Sequence, residues 1–530
     1  MKLIIAGSRD ITLTCACRAV EGALEKTGWC HAITEVVSGA SGNVDKIGEF
    51  WAELMELPIK RFPADWDGGR VARAKTAFFK ALALEAHRFY GGKIQVLPRA
   101  ALPGFQWFNA WYTPGVSAVS TGIRDNPDES FELSWRGNVV AVVSDSTRVL
   151  GDGDVSPPGG LGVMEGKAFL MKVLGGVDAV PICMDSRDAS GRHDPDILID
   201  FVRRLTPSFG AVNLEDISQP NCFRVLDELR NSCDIPVWHD DAQGTGCVTL
   251  AGLINALKVA GKDLARCRIV FLGAGASNTT IARLILQAGA DPDRVAMFDS
   301  RGGLHAGRGD IEADPRFYRK WEICRTTNPK RIADVAEALQ GADVLISLSR
   351  PGPDAVLPEW VQGMASRAIV FACANPVPEI YPHAAKAAGA FIVATGRGDF
   401  PNQVNNSLGF PGILKGALLV RARKITDAMA IAAARTIAGF AERQGLSPDR
   451  IMPRMTDSDV FAETAAAVAR QAREEGVARR DLPPGQVVAC ARQDIDEANR
   501  ALELLMTSGL IPPPPETMIQ RCFDAALAGV

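Results

Sequence analysis

The chain has 530 residues, of which 47% are hydrophobic and 23% are charged, with a formal net charge of -4 and a pI of about 6.0. This balance is typical of a globular protein with roughly three or four domains, and it excludes a strongly basic nucleic-acid surface. No apolar run approaches the ~20 residues of a membrane span, and no signal-peptide pattern opens the chain. The 12 cysteines are scattered without a CxxC pair, so we expect a reducing cytoplasm and no disulfide or thiolate framework.

The first 75 residues predict a small Rossmann-like unit. Residues 2–6 and 34–38 are short apolar strands, each followed by glycines and a predicted helix. Such turns offer backbone N–H groups and the positive end of a helix to an anion. Residues 4–9, 36–42 and 61–66 resemble the SLOG group of Rossmann-like sensors, which implies a nucleotide-derived ligand. An inactive relic or a dimerisation module is the alternative.

Two polar residues farther along stand out by their position. Tyr112 precedes the turn residues Pro114 and Gly115, although simple packing explains a tyrosine there equally well. Lys167 follows the Gly- and Pro-rich loop 151–162, which is typical of an active-site wall or of disorder. We predict that Lys167 lies at the start of a helix, where the dipole disfavours a cation, so it is a candidate functional residue or a solvated lysine.

Carboxylates follow two short apolar runs, residues 209–212 and 235–238. Both runs predict buried parallel strands, whose carboxyl ends gather chemistry in open α/β sheets. The acidic residues that would meet there are Glu215, Asp216, Asp240 and Asp241. Because close carboxylates need a cation or a shared proton, an oxygen-only cluster predicts Mg²⁺ or Mn²⁺. Two solvated acidic loops are the alternative.

A second Rossmann-like pattern begins near residue 262. A strand at 268–272 leads into Gly273 and Gly275, and a helix is predicted at 279–288. Asp299 ends the next strand, 26 residues after Gly273, within the range for an acid that binds a ribose hydroxyl. The remaining residues of the predicted phosphate-binding turn are Ala276, Ser277 and Asn278. This order favours dinucleotide binding over a plain tight turn.

Later strands, at residues 344–348, 369–373 and 391–395, predict a doubly wound parallel sheet. Ser349 and Asn375 follow the first two of these strands and are candidate cofactor contacts. The amide-rich residues 400–406, with Asn405 and Asn406, suit a bound carboxylate, although ordinary Asx turns are the alternative. From about residue 425 the chain is alanine-rich and predicted to be helical.

Taken together, these motifs resemble malic enzymes, the oxidative decarboxylases of malate. The matching stretches are residues 112–116, 163–167, 213–217, 239–245, 273–276 and 395–406. The resemblance spans about residues 85–429. It implies an enzyme that converts malate to pyruvate and CO₂ with NAD(P) and a divalent ion, and a homo-oligomer, most simply a dimer.

The resemblance also implies roles for single residues. Lys167 matches the general base, helped by Asp240, and Tyr112 matches the general acid. The metal ligands implied are Glu215, Asp216 and Asp241. The substrate contacts implied are Arg148, Asn375 and Asn406, beside the neighbouring Asn405.

The predicted fold class is therefore α/β, with a malic-enzyme-like substrate domain and a doubly wound NAD(P)-binding domain. The domains predicted are residues 1–75 (Rossmann-like unit), 76–240 (malate and metal), 241–424 (NAD(P)) and 425–530 (helical region). Asp299 favours NAD over NADP, while the nearby Arg301 could reverse that preference.

Some residues depart from the family pattern. Asp152 stands where an apolar residue is expected, residues 156–158 alter the adjoining loop, Gly398 replaces a serine, and Asn278 replaces a glycine. These departures keep two alternatives open. One is a malolactic enzyme or an enzyme for another 2-hydroxy acid; the other is a sensor with a degenerate enzyme domain.

Overall fold

The computed structural model describes residues 2–5, 35–38, 59–61 and 68–528, apart from Leu150 and Asp399. The chain divides into two compact units, Met1–Lys93 with Leu504–Val530, and Ile94–Glu503. The loop motifs that resemble the SLOG group, at residues 6–9, 39–42 and 62–66, lie outside the described residues.

The strands of the described residues form three sheets. The first contains β1 (Lys2–Ile5), β2 (Glu35–Ser38) and β3 (Ile59–Arg61), all parallel. The second contains β4 (Val139–Ser144), β5 (Asp178–Cys183), β6 (Ala211–Leu214) and β7 (Val237–His239). The third contains β8 (Ile269–Leu272), β9 (Val295–Asp299), β10 (Gly302–Gly303), β11 (Val344–Ser347), β12 (Ile369–Ala372) and β13 (Ile392–Thr395).

The α-helices, in chain order, are as follows: α1 (Gly68–Tyr90), α2 (Phe108–Trp111), α3 (Val116–Asp125), α4 (Ser130–Leu133), α5 (Ser156–Gly159), α6 (Leu161–Gly175), α7 (Pro195–Leu205), α8 (Asn221–Ser232), α9 (Thr245–Ala260), α10 (Ala276–Gln287), α11 (Gly309–Glu312), α12 (Tyr318–Thr326), α13 (Val335–Leu339), α14 (Pro358–Gln362), α15 (Pro382–Ala387), α16 (Phe410–Leu419), α17 (Asp427–Arg443), α18 (Asp459–Glu474), α19 (Pro484–Thr507) and α20 (Glu516–Ala528). No helix of the described residues is long and apolar enough to cross a membrane.

In the unit Met1–Lys93 with Leu504–Val530, α1 packs against α20. Phe78 is fully buried in this contact, and its ring lies edge-on to that of Phe523, 6.0 Å away. The Tyr90 hydroxyl donates a hydrogen bond to the Pro512 carbonyl, at 2.9 Å. In this unit α1 is thus held to α20 and the segment before it by an aromatic core, by the Tyr90 hydrogen bond and by an ion pair between Arg521 and Glu85 at 3.8 Å.

The sheet order in the second unit puts the predicted site residues at strand ends. β4 to β7 are parallel, in the order β5-β4-β6-β7, so the carboxyl ends of β6 and β7 are neighbours. The third sheet has the order β10-β9-β8-β11-β12-β13, and all its pairs are parallel except β10 with β9. From β8 the chain first adds strands on one side of the sheet, and from β11 it adds them on the other side. Doubly wound folds bind ligands at this reversal of strand order, between β8 and β11. The predicted α/β class with parallel sheets is confirmed.

Most strands of the second and third sheets are buried, whereas the edge strand β5 is only partly buried along its length. Every residue of β4 and of β11 is buried, as the near-continuous apolar sequence of a parallel strand requires. The predicted start of the helix at Lys167 was wrong, because α6 begins at Leu161. Lys167 lies in the second turn, so the dipole argument for its importance does not apply.

Glycine allows one close helix contact in the core. A Cβ atom added to Gly416 of α16 would lie 2.3 Å from the carbonyl oxygen of Ala465 in α18. A backbone atom at that distance cannot yield without moving the whole helix. Gly416 therefore sets how closely α16 and α18 approach.

We predict that Gly416→Ala lowers the free energy of unfolding by about 1–3 kcal/mol, the usual cost of overpacking. Gly439→Ala in α17 is the matched control, since the nearest atom to its added Cβ is 4.0 Å away. The control should be neutral or more stable by about 0.5–1 kcal/mol, because alanine favours helix. Denaturant titration measures both, and equal effects would contradict the packing role of Gly416.

Candidate active site

Three carboxylates converge beyond the ends of β6 and β7. One oxygen from each of Glu215, Asp216 and Asp241 lies within 4.8 Å of the other two. Glu215 and Asp216 are only 2% and 3% exposed, so water cannot screen their charges. The oxygen-only donor set at this spacing fits a hard divalent ion, as the sequence predicted.

The backbone and neighbouring amides hold the carboxylates in this arrangement. The Asp216 N–H donates to Asp241 Oδ2 at 2.7 Å, and Asn213 Nδ2 donates to Glu215 Oε2 at 2.9 Å. Asp216 has a φ of 55°, in the left-handed region that a non-glycine residue rarely occupies. Such backbone strain persists where surrounding contacts enforce it, and it is concentrated at functional sites.

Lys167 reaches the same cluster from α6. Its Nζ lies 3.0 Å from Glu215 Oε1, forms a close ion pair with Asp240, and sits 4.6 Å from the centre of the Phe410 ring. Burial opposes the charged form, but the charges of Asp240, Glu215 and Asp241 outweigh it and raise the pKa of Lys167. Without a cation in the cluster, Lys167 is therefore an ammonium.

Burial also raises the pKa values of two acids beside Lys167, Glu215 and Asp240. Desolvation, followed by the charge of Asp241, raises the pKa of Glu215 well above its ordinary value. Desolvation also raises the pKa of Asp240, against the opposing charge of Lys167. Several buried carboxylates thus share a single buried cation, which leaves an excess of negative charge that a divalent ion would offset.

A π-helical turn, Asp240–Gly244, presents Asp240 to the lysine. The Trp238 indole donates from Nε1 to Asp240 Oδ1 at 3.1 Å. A Cβ added to Gly244 would lie 1.9 Å from Asp240 Oδ1, so only glycine leaves room for that carboxylate. The sequence analysis missed Trp238 and Gly244, because their roles depend on this tight turn.

His239 is a further residue to which the sequence analysis gave no role. It is fully buried, and its Nδ1 lies 3.9 Å from Asp241 Oδ2. Neither ring nitrogen has a hydrogen-bond partner among the described residues. Desolvation lowers the pKa of His239, so the ring is neutral and adds no charge to the cluster. The adjacency of His239 to two aspartates was the available signal.

The predicted dinucleotide loop lies beside this cluster. Gly273 has a φ of 97°, and its added Cβ would lie 2.4 Å from the Leu348 carbonyl oxygen, so glycine is required there. Gly275 precedes the first turn of α10, where Ala276 and Ser277 begin the helix. The Ser277 hydroxyl donates to the Asp241 carbonyl at 2.9 Å. The end of the loop is thus tied directly to a predicted metal ligand.

Asn278 fills the place of the family's third glycine without opening the fold. Its side chain is fully buried, and Nδ2 donates to the carbonyls of Leu272 and Gly273, both at 2.9 Å. The amide therefore fastens the glycine loop to the end of β8. The departure noted in the sequence is compatible with close packing between strand and helix.

Asp299, at the end of β9, is surrounded by cations. Arg308 donates to both carboxylate oxygens, at 3.1 and 3.0 Å, and Lys320 Nζ lies 3.3 Å from Oδ2. The Arg301 N–H donates to Oδ1 at 2.9 Å. Burial opposes ionisation here, but these donors outweigh it and lower the pKa of Asp299. The sequence predicted Asp299 and Arg301 but not Arg308 or Lys320.

Of the predicted substrate residues, Arg148 and Asn406 lie beside the cluster and its π-helical turn, and Asn375 lies beside two glycine loops. The Arg148 side chain is exposed, and its N–H donates to the Asp216 carbonyl at 3.0 Å. Asn375 is exposed and close to two glycine loops, since Cβ atoms added to Gly151 and Gly396 would lie 3.1 and 2.9 Å from its atoms. Asn406 is half-buried near Gly244, with 3.5 Å between its Cβ and a Cβ added to that glycine.

Two other predicted residues, Asn405 and Ser349, form hydrogen bonds that involve backbone N–H groups. Asn405 accepts from the Ser407 N–H at 2.9 Å, which is the Asx capping that the sequence left as an alternative. Ser349 donates its N–H to the buried carboxylate of Glu379 at 2.8 Å. Neither contact excludes a ligand role.

Tyr112 is the predicted site residue that the structure does not bring to the cluster. It follows α2, is 71% exposed, and its hydroxyl has no hydrogen-bond partner among the described residues. Phe105, Trp107 and Phe108 beside it are also exposed. The segment therefore presents an aromatic surface rather than a packed one.

Comparisons with known proteins agree with this geometry. A family model described as "Malic enzyme, N-terminal domain" matches residues 105–230, and one described as "Malic enzyme, NAD binding domain" matches residues 242–473. These two matches cover Glu215, Asp216, Lys167 and the dinucleotide loop, while Asp240 and Asp241 lie in the short gap between the two matched ranges.

Individual relatives match over most of their length. A bifunctional malic/malolactic enzyme of Bacillus subtilis is 41% identical over 78% of this chain and 97% of its own, and an NADP-dependent malic enzyme of Halomonas elongata is 38% identical over 70% and 88%. The crystal structure of the Entamoeba histolytica malic enzyme has a TM-score of 0.86 and 62% identity, covering 88% of this chain and 96% of that one. The chain belongs to the malic enzyme family.

Proposed function

We propose that this protein catalyses the oxidative decarboxylation of malate to pyruvate and CO₂, with reduction of NAD(P) and dependence on Mg²⁺ or Mn²⁺. The observation that carries the proposal is a buried lysine paired with Asp240 beside three converging carboxylates, at the carboxyl ends of two parallel strands. The loop of a doubly wound domain reaches the same place through Ser277. A hydroxyl oxidation needs this combination of a base, an electrophile and a hydride acceptor.

Glu215, Asp216 and Asp241 would hold the ion. When bound, a divalent cation supplies positive charge that polarises a substrate oxygen and favours the neutral form of the nearby lysine. The chain's own residues then handle the protons. Lys167 accepts the hydroxyl proton at Nζ, while Asp240 orients that amine and stabilises the ammonium that forms.

Three polar groups that are exposed or half-buried suit the ends of a dicarboxylate. Arg148 supplies a guanidinium, and Asn375 and Asn406 supply amide donors, beside the Asn405 turn. Tyr112 supplies a phenolic proton for the product carbon. Because Tyr112 is largely exposed in one chain, its delivery requires that the segment close over the site or pack on another subunit.

We extend the proposal to a homo-oligomer, most simply a dimer. The segment has an aromatic surface whose residues are all exposed: Phe105, Trp107, Phe108, Trp111 and Tyr112. Contiguous exposed apolar patches, unlike single scattered residues, mark protein interfaces. The cysteines of the described residues are free, which is consistent with the proposed cytoplasmic location. A nucleotide-derived ligand for residues 1–75 remains part of the proposal, supported by the sequence resemblance.

A malolactic reaction is the second candidate. It is favoured by the Bacillus relative's name and by Asp152, an exposed acid in a loop whose Gly151 approaches Asn375. Purified protein with Mn²⁺, malate and either NAD or NADP distinguishes the two candidates. Pyruvate and reduced cofactor in equal amounts support the main proposal. Lactate without free reduced cofactor supports the alternative. If folded protein forms neither pyruvate nor lactate, both proposals are overturned.

Lys167→Ala should lower kcat for malate oxidation by at least about 10²–10⁴-fold, the contribution expected of a positioned base. Tyr112→Phe should slow protonation of enolpyruvate more than hydride transfer. Absorbance of the reduced cofactor after rapid mixing follows hydride transfer, separately from the release of pyruvate. The control is Lys172→Ala on the same helix, whose amine pairs with Asp178 near the surface. Near-normal turnover in Lys167→Ala would contradict its assignment as the base.

Asp241→Asn should weaken Mn²⁺ binding by about 10-fold or more, because a charged ligand is lost while the volume is kept. Asp185→Asn is the control, since that carboxylate is exposed and paired with Arg187. Calorimetric titration of the folded variants with Mn²⁺ gives the affinity directly. The ligand assignment fails if the two variants bind Mn²⁺ equally.

We propose that the chain uses NAD and also accepts NADP, because Arg308 and Lys320 offset the charge of Asp299. Lys320→Ala should raise the KM for NADP about 10-fold more than the KM for NAD, as loss of one charged contact to a 2′-phosphate predicts. The exposed Lys330, changed to Ala, is the control. Equal changes for both cofactors would show that Lys320 does not face the 2′ position.

A further inference from the structure

One fully buried carboxylate lies outside the metal cluster, in the dinucleotide-binding domain. Glu379 is 0% exposed and follows β12, in a segment to which neither the sequence motifs nor the proposed chemistry gave a role. A buried carboxylate is costly unless donors surround it. The donors around Glu379 therefore identify what its charge holds in place.

Those donors come from the ends of two adjacent strands. Oε1 accepts from the Ser347 hydroxyl and the Ser349 N–H, both at 2.8 Å, while Oε2 accepts from the Ala374 N–H at 3.0 Å. Ser347 ends β11, and Ala374 lies just past β12. One carboxylate thus bridges the exits of both strands at the edge where ligands bind in this fold.

Each bridged segment leads directly to a residue of the proposed site. Ser349, on the β11 side, is a predicted cofactor contact, and the preceding Leu348 carbonyl lies against Gly273 of the dinucleotide loop. On the β12 side, Ala374 precedes Asn375, which approaches the glycines at 151 and 396. Glu379 itself touches none of the metal cluster.

The segment that carries Glu379 is anchored from outside as well. The Val356 N–H donates to the Glu379 carbonyl at 3.0 Å, and the Gly352 N–H donates to the Val377 carbonyl at 3.3 Å. These bonds fix the backbone around Glu379 independently of the Glu379 side chain. The side chain is therefore a rigid point from which the two loops are positioned.

We propose that Glu379 is a positioning residue for dinucleotide binding, which sets the distance between the Ser349 and Asn375 loops across the nicotinamide end of the site. This inference rests on the proposed NAD(P)-dependent function. Its charge matters as well as its shape, because the carboxylate accepts from two serine hydroxyls and two backbone N–H groups, whereas an amide brings an N–H group that opposes one of these donors. The loops would then separate while the strands beneath remain paired.

Glu379→Gln tests the inference in the full-length protein. We expect dinucleotide affinity, measured by calorimetry without malate, to fall about 10-fold or more, since a charge-assisted bond to backbone is lost. We expect Mn²⁺ affinity to stay within about twofold, because the metal ligands lie on the other sheet. Glu359→Gln, an exposed glutamate in α14, is the matched control and should change neither affinity.

A purely structural role for Glu379 would lower the melting temperature and leave dinucleotide affinity unchanged, and that result overturns the inference. If Glu379→Gln does not fold, Ser347→Ala removes one donor and keeps the carboxylate; unchanged dinucleotide affinity in that folded variant also overturns it. Wild-type protein that binds neither NAD nor NADP would instead overturn the proposed function. The two failures are therefore distinguishable.

Discussion

The site depends on an imbalance of charge among groups that are largely buried. Lys167 is the buried cation in contact with Glu215 and Asp240, and Asp216 and Asp241 lie close by. Desolvation makes each unpaired carboxylate costly, so the cluster is stable only with shared protons or with an added cation. The negative charges of the carboxylates keep Lys167 protonated, as an ammonium. An added cation in the cluster would favour the neutral amine, which can act as a base. Metal binding and proton acceptance are therefore two consequences of one electrostatic arrangement.

The fold brings these groups together by placing strand ends side by side. β6 and β7 are adjacent and parallel, so residues 25 or so apart in the chain meet at one edge, where a π-helical turn and a strained Asp216 complete the geometry. The third sheet repeats the principle, with Gly273, Ser349 and Asn375 just beyond the ends of β8, β11 and β12. Ser277 connects the two edges through the Asp241 backbone. Binding of a dinucleotide and of a metal ion would thus be coupled by direct contact.

The sequence allowed the parallel strands, the glycine loop and the three converging carboxylates to be predicted, because strand burial and glycine spacing are local signals. Lys167 was selected partly for a wrong reason, since α6 begins at Leu161 and the helix dipole has little effect in its second turn. Glu379, Arg308 and Gly244 were missed because each acts on residues that are distant in sequence or depends on one tight turn. Tyr112 was predicted from the resemblance, yet its exposure shows that a site residue can lie on a segment that the single chain leaves uncovered.

The central claim is that Glu215, Asp216 and Asp241 bind one divalent ion within reach of Lys167. Anomalous diffraction from crystals grown with Mn²⁺ tests it most directly. The account predicts a single strong peak within bonding distance of oxygens from all three carboxylates, with Lys167 Nζ no longer bridging Glu215 and Asp240 as it does here. A peak elsewhere, or none among these oxygens at saturating Mn²⁺, would contradict the account.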